Sequence, residues 1–131
     1  MNRLPGWPRR LRRRLPKSLS IRDLAAATRR PGQVIGLHFF NPALVMKLVE
    51  VVVIPATSPA VTETAKRIAA SAGKTPVIVR DAPGFIVNRM LIPMINEAVG
   101  ILAQGIATAD DIDKAMRFGA NHPIGPLTLA D

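Results

Sequence analysis

His38 stands in the middle of an otherwise apolar run. The chain around it reads VIGLHFFNPALVMKLVEVVVI, in which the titratable groups are His38, Lys47 and Glu50. An imidazole taken out of water costs free energy unless it finds hydrogen-bond partners. Two explanations stand side by side: a core histidine satisfied by its neighbours, or a group placed to move a proton, since imidazole titrates near neutral pH. Glu50 alone reads equally well as a surface charge on an edge strand. Asn41, just before Pro42, fits turn chemistry. Asn88 lies in the apolar stretch GFIVNRML, whose Ile86, Val87, Met90 and Leu91 argue against an exposed helix face. Other chemistries are excluded. With no cysteine there is neither a disulfide framework nor a thiolate nucleophile. The two histidines, His38 and His122, do not build a typical zinc site, so no metal is expected.

The elements that must position these groups follow from pattern. Val34–Phe40 is β-branched and aromatic and suits a strand buried on both faces. Met46–Ile54 is a second such run, ended by Pro55. Ser58 offers an N-cap with Pro59 at the first helical position. Val61, Ala65, Ile68, Ala69 and Ala72 then recur at helical spacing until Gly73 closes the helix. Pro76–Arg80 is a short strand. After Pro83-Gly84 the stretch FIVNRMLIPMINEAVGILAQG is helical and apolar on most of its circumference, and Pro93 is expected to kink it. Thr108 with Asp111 opens a further helix, Ala109–Phe118, stopped by Gly119. NHPIGPLTLAD opens with turn chemistry and ends. Strand–strand–helix–strand followed by helices alone places a domain boundary near Asp81.

Charge is distributed unevenly along the 131 residues. The net charge is +9, yet residues 1–17 hold seven basic residues and no acidic one, and the rest holds eleven basic and nine acidic. The arm shows neither helical nor strand periodicity and is expected to be disordered; its charge is compatible with binding phosphate backbones or anionic membranes, or with an Arg-rich transit peptide. The Gly84–Gly105 segment is long enough to span a bilayer but carries Arg89 and Glu97 near its middle, which favours a buried helix over a membrane span. No secretory signal is visible, and the Ala- and Arg-rich, Lys-poor usage points to a bacterial cytoplasm.

Three segments, IGLHFFNPALVMKLVEVV, DAPGFIVNRMLIPMINEA and ATADDIDKAMRFGANHPIGPLTLAD, together resemble the L-3-hydroxyacyl-CoA dehydrogenases, including the 3-hydroxybutyryl-CoA enzymes. The resemblance runs from about Ser18 to Asp131. It implies oxidation of the 3-hydroxyl of an acyl-CoA to a ketone, with hydride passing to NAD. The implied fold class is α/β followed by all-α, the tail of a Rossmann-type dinucleotide-binding domain and then the first helices of a domain that forms a homodimer. Residues 1–17 would be a non-homologous arm, 18–80 the end of the first domain and 81–131 the start of the second. By this resemblance His38 is the catalytic base and Glu50 the carboxylate that pairs with it. Their separation of twelve positions allows a strand, a turn and a returning strand to set them side by side. A carboxylate on one ring nitrogen fixes the tautomer and stabilises the imidazolium. Asn41 matches the family asparagine near nicotinamide and substrate, and Asn88 one that shapes the catalytic site; an amide both donates and accepts there without adding charge.

The sequence departs from the family in two places. No GxGxxG turn for a dinucleotide pyrophosphate occurs in these 131 residues. Lys17-Ser18-Leu19 stands where the family carries Ser-Ser-Leu. The expectation is therefore a fragment of such an enzyme, inactive alone, with residues 1–17 translated from a shifted frame or misplaced start. The rival expectation is a non-catalytic module that binds nucleic acid or membrane through the arm.

Overall fold

The computed structural model describes residues Ser20–Asp131. The basic arm at 1–17 and the replacement at Lys17 lie outside them. The chain divides into two compact units, one ending at Pro83 and one running from Gly84 to Asp131.

The first unit is built on a three-stranded sheet in the order β1-β2-β3. Its elements are α1 (Ile21–Ala26), a 3₁₀ turn (Pro31–Gln33), β1 (Gly36–Phe39), β2 (Leu48–Val53), α2 (Pro59–Ser71) and β3 (Thr75–Arg80). β1 runs antiparallel to β2 with Gly36 opposite Val52 and His38 opposite Glu50. β3 runs parallel to β2, reached through the α2 crossover. Side chains alternate along β2. Val49 and Val51 point one way and form the core with Ala65 and Ala69 of α2. Glu50 and Val52 point the other way and are equally buried. On that face Ile21 of α1 lies over Gly36 and Val52, so close that a Cβ on Gly36 would meet the Ile21 Cδ1 at 2.8 Å.

α2 starts where Ser58 and Pro59 place it, with the Ser58 hydroxyl accepting from the Val61 N–H. It ends in a Schellman closure: Gly73 takes φ 71°, and the Gly73 and Lys74 N–H groups donate to Ala70 and Ala69. Two expectations fail here. β1 is shorter than Val34–Phe40 and is not buried on both faces; Leu37 and Phe39 are 39% and 44% exposed. They share the α2 side of the sheet, but α2 packs on β2 and β3. Ile68 likewise faces solvent, because the inward stripe of α2 runs through Ala65 and Ala69. α1 is a helix that periodicity did not announce. Ser20 caps it with its hydroxyl, which also donates to Asp81 at 2.8 Å, and the Arg22 N–H donates to the same carboxylate at 3.0 Å.

The second unit contains α3 (Val87–Ala103), α4 (Ala109–Gly119) and α5 (Pro126–Ala130), with α5 packed on both longer helices. α3 begins later than the sequence pattern implies, since Gly84 and Phe85 both adopt positive φ, 75° and 46°. Pro93 lies inside it and removes the N–H that would reach the Arg89 carbonyl. Thr108 caps α4 through the Asp111 N–H. Gly119 does not stop that helix but belongs to it; Asn121, at φ 55°, makes the left-handed exit instead. The final stretch is also more than a turn. Asp113 accepts from the Leu127 N–H at 2.8 Å, the Thr128 N–H at 2.9 Å and the Thr128 hydroxyl at 2.5 Å, and so anchors α5 to α4. The Thr128 hydroxyl above all holds the Asp113 carboxyl below the usual carboxylate range; desolvation opposes it, and the Leu127 and Thr128 N–H groups and Arg117 add to the lowering. Among the described residues no helix is long and apolar enough to cross a membrane.

Candidate active site

β1 and β2 bring His38 and Glu50 together as direct cross-strand neighbours. The His38 Nδ1 lies 2.8 Å from the Glu50 Oε2. The carboxylate is 1% exposed and the imidazole 30%. Glu50 is no edge-strand surface charge; it occupies the central strand. With Glu50 ionised, the carboxylate only accepts hydrogen bonds, which makes Nδ1 the donor and Nε2 the ring nitrogen able to take a proton. Phe40 stands beside the ring at 4.7 Å between centroids, tilted by 58°. The imidazole is therefore oriented twice, by a buried acceptor at one nitrogen and by an aromatic neighbour. That arrangement can take a proton at Nε2 and stabilise the resulting cation from the Nδ1 side.

Asn41 follows on the loop that leaves β1, joined to Pro42 by a cis peptide bond, and is exposed. Inside the loop the Pro42 carbonyl accepts from the N–H groups of Val45 and Met46 at 2.9 and 3.0 Å. Asn88 belongs to the second unit, half-buried in the first turn of α3. Its apolar neighbours are less enclosed than their types imply: Met90 is 72% exposed. Pattern reasoning gave no sign of the backbone just before it. Phe85 holds φ 46°, a region that bulky residues rarely enter. The only sequence cue was Pro83-Gly84, which marks a break without fixing the conformation of the next residue. Lys74 was missed as well; its ammonium reaches the 40–47 loop.

The fit to a nicotinamide dinucleotide is partial. A carboxylate-oriented imidazole suits the proton that must leave as hydride is lost. The pyrophosphate end finds no cradle among the described residues. Of the positive-φ glycines, Gly73 and Gly105 follow helices, and a Cβ on Gly84 would sit 3.1 Å from the Arg89 backbone nitrogen. No group of three or more potential metal ligands occurs among the described residues.

Comparison with known proteins matches both units. The family model for the 3-hydroxyacyl-CoA dehydrogenase NAD binding domain covers residues 17–82, and that for the 3-hydroxyacyl-CoA dehydrogenase C-terminal domain covers 84–131. A 3-hydroxybutyryl-CoA dehydrogenase of Clostridioides difficile is 56% identical over 114 residues, 87% of this chain and 41% of its own length. The mitochondrial hydroxyacyl-coenzyme A dehydrogenase of Homo sapiens is 48% identical over 87% of this chain and 36% of its own. The crystal structure of (S)-3-hydroxybutyryl-CoA dehydrogenase from Ralstonia eutropha superposes with a TM-score of 0.82 at 48% identity, covering 86% of this chain and 40% of that one. The chain thus spans about two fifths of the length of the relatives it matches.

Proposed function

The chain belongs to the 3-hydroxyacyl-CoA dehydrogenase family, and from that premise we propose that His38, oriented by Glu50, is the general base in the oxidation of an L-3-hydroxyacyl-CoA to the 3-oxoacyl-CoA. One observation supports this most: the 2.8 Å contact between the His38 Nδ1 and a carboxylate buried in the central strand. A secondary alcohol is a poor hydride donor until its proton is being removed. Nε2 accepts that proton while the carbon–hydrogen bond breaks and the carbonyl forms. Glu50 stabilises the imidazolium so produced. NAD, the dinucleotide of the family's first domain, is the acceptor of the hydride. Asn41 is assigned to the nicotinamide and substrate and Asn88 to the shape of the catalytic site, each donating and accepting through a neutral amide. Homodimerisation through the helical unit belongs to the same reading, supported by the exposed apolar side chains of α3. A cytoplasmic setting is supported by the Ala- and Arg-rich composition.

The test is a chimera in which residues 20–131 replace the matching segment of the Clostridioides difficile relative. NADH formation from 3-hydroxybutyryl-CoA is expected, and His38→Ala in the chimera should lower it by about 10²- to 10⁴-fold. A folded but inactive chimera, or a His38→Ala chimera that loses less than tenfold, overturns the assignment.

A further inference from the structure

The loop between β1 and β2 carries Asn41, and past Phe40, whose ring stands beside His38, none of its side chains is buried. Every residue from Asn41 to Lys47 is exposed, Leu44 to 98% and Val45 to 71%. From Asn41 onward, with no buried side chain, the loop depends on hydrogen bonds for its shape. Its last carbonyl, that of Lys47, accepts from the Thr75 N–H at 2.7 Å, an extension of the β2–β3 ladder. Its middle is held by one side chain. The Lys74 ammonium donates to the Ala43 carbonyl and, at 2.9 Å, to the Met46 carbonyl. An ammonium has three donors and can serve both acceptors at once, whereas two separate waters would leave them untethered.

The position of Lys74 is itself fixed. The Schellman closure of α2 directs its N–H to the Ala69 carbonyl at 3.0 Å, and β3 starts one residue later. The ammonium therefore connects the rigid end of α2 to the part of the chain that leads from His38 to Glu50.

We propose that Lys74 is a positioning residue for the dehydrogenase reaction, holding the 40–47 loop in the shape that presents Asn41 next to His38. The proposal rests on the assignment of His38 and Asn41 made above. It acts through Asn41 and not through contact with substrate. Loss of the tether should displace the amide while leaving the sheet and the His38–Glu50 pair intact, because both strands keep their ladder.

Two measurements test it. In the active chimera, Lys74→Met should lower kcat by about 10- to 100-fold, the range a displacement of about 1 Å can produce, with the unfolding midpoint little changed. Lys74→Gln, able to serve one carbonyl, should fall between. Added to Asn41→Ala, Lys74→Met should cost no more than about twofold further, since coupled residues do not add. Losses that multiply in the double variant would overturn the proposal. The second measurement does not depend on turnover, so it separates this idea from the functional assignment. In the 131-residue chain, Lys74→Met should speed hydrogen exchange at the Val45 and Met46 amides and leave the α2 amides unchanged. Unaltered exchange in the loop would overturn the proposal even in an active enzyme.

Discussion

The two units hold their polar groups in opposite ways. In the first, a carboxylate sits in the middle of a strand on which Val49, Glu50, Val51 and Val52 are all essentially inaccessible to water. In the second, the 17-residue α3 has one fully buried side chain, Ala98, while Ile92, Val99 and Leu102 lie exposed along one helical stripe. The sheet unit is held by a ladder that fixes each residue against a named partner. The helical unit is held at its ends, by Thr108 at the start of α4 and by Asp113 under α5. A charge pair that must be reproducible in geometry is found where the backbone itself sets register. The region organised by caps keeps much of its apolar surface available for something to cover.

Breaking the sheet unit at its chemistry gives the largest effect. His38→Ala in the chimera should reduce turnover by about 10²- to 10⁴-fold, the usual contribution of a positioned general base, read by NADH formation at saturating substrate. A loss below tenfold would place the base elsewhere. Next comes the packing contrast. Val51→Ala, at a fully buried position, should destabilise the chain by about 2 kcal/mol. Ile92→Ala on the exposed stripe should stay within about 0.5 kcal/mol. Urea titrations followed by circular dichroism would measure both, and equal effects would dissolve the contrast between the units.

The stripe sharpens the comparison in another respect. An uncovered row of Ile92, Val99 and Leu102 should drive self-association of the 131-residue chain, seen as sedimentation that changes with dilution. Ile92→Glu should weaken that association; a chain that sediments as a monomer at every concentration contradicts it.

The smallest effect is the acid response of α5. The folded Asp113 carboxyl lies below its ordinary value of 3.8, chiefly through the Thr128 hydroxyl. Its stabilising contribution is therefore fully present above that ordinary value and disappears as pH falls through the lower folded one. Amide exchange at Leu127 and Thr128 should quicken below the ordinary carboxylate range, and Asp113→Asn should remove most of that pH dependence.

Much of the site was legible because its geometry is local. The pairing of Glu50 with His38 was legible through the family resemblance, and the structure realises it locally, with an eight-residue loop that sets the two opposite each other. The Ser58-Pro59 start of α2 and the Thr108 start of α4 were legible from local geometry: each capping hydroxyl lies three residues from the backbone N–H that donates to it. What escaped depends on distant partners. α1 owes part of its cap to Asp81, sixty-one residues from Ser20, and α5 owes its anchor to Asp113, fourteen residues before Leu127. Lys74 reads as an ordinary surface lysine until the loop it tethers, about thirty residues earlier, is in view. The exposure of β1 was misjudged because apolar composition shows what a strand could bury, while the placement of α2 decides what it does bury.

The cross-strand pairing of His38 with Glu50 also predicts which kinds of genetic change this gene can survive. A missense change at Val49 or Val51 trims the core but leaves the pair facing each other. One extra codon between Leu48 and Glu50 is different, because alternate residues of a strand face opposite ways and a one-residue slip turns every later side chain through the sheet. Glu50 would move to the α2 side and a valine would arrive beside the imidazole. Two extra codons would restore the facing but displace the carboxylate along the strand by about 7 Å. Among alleles that still fold, length changes inside β2 should thus be rarer than substitutions at the same positions.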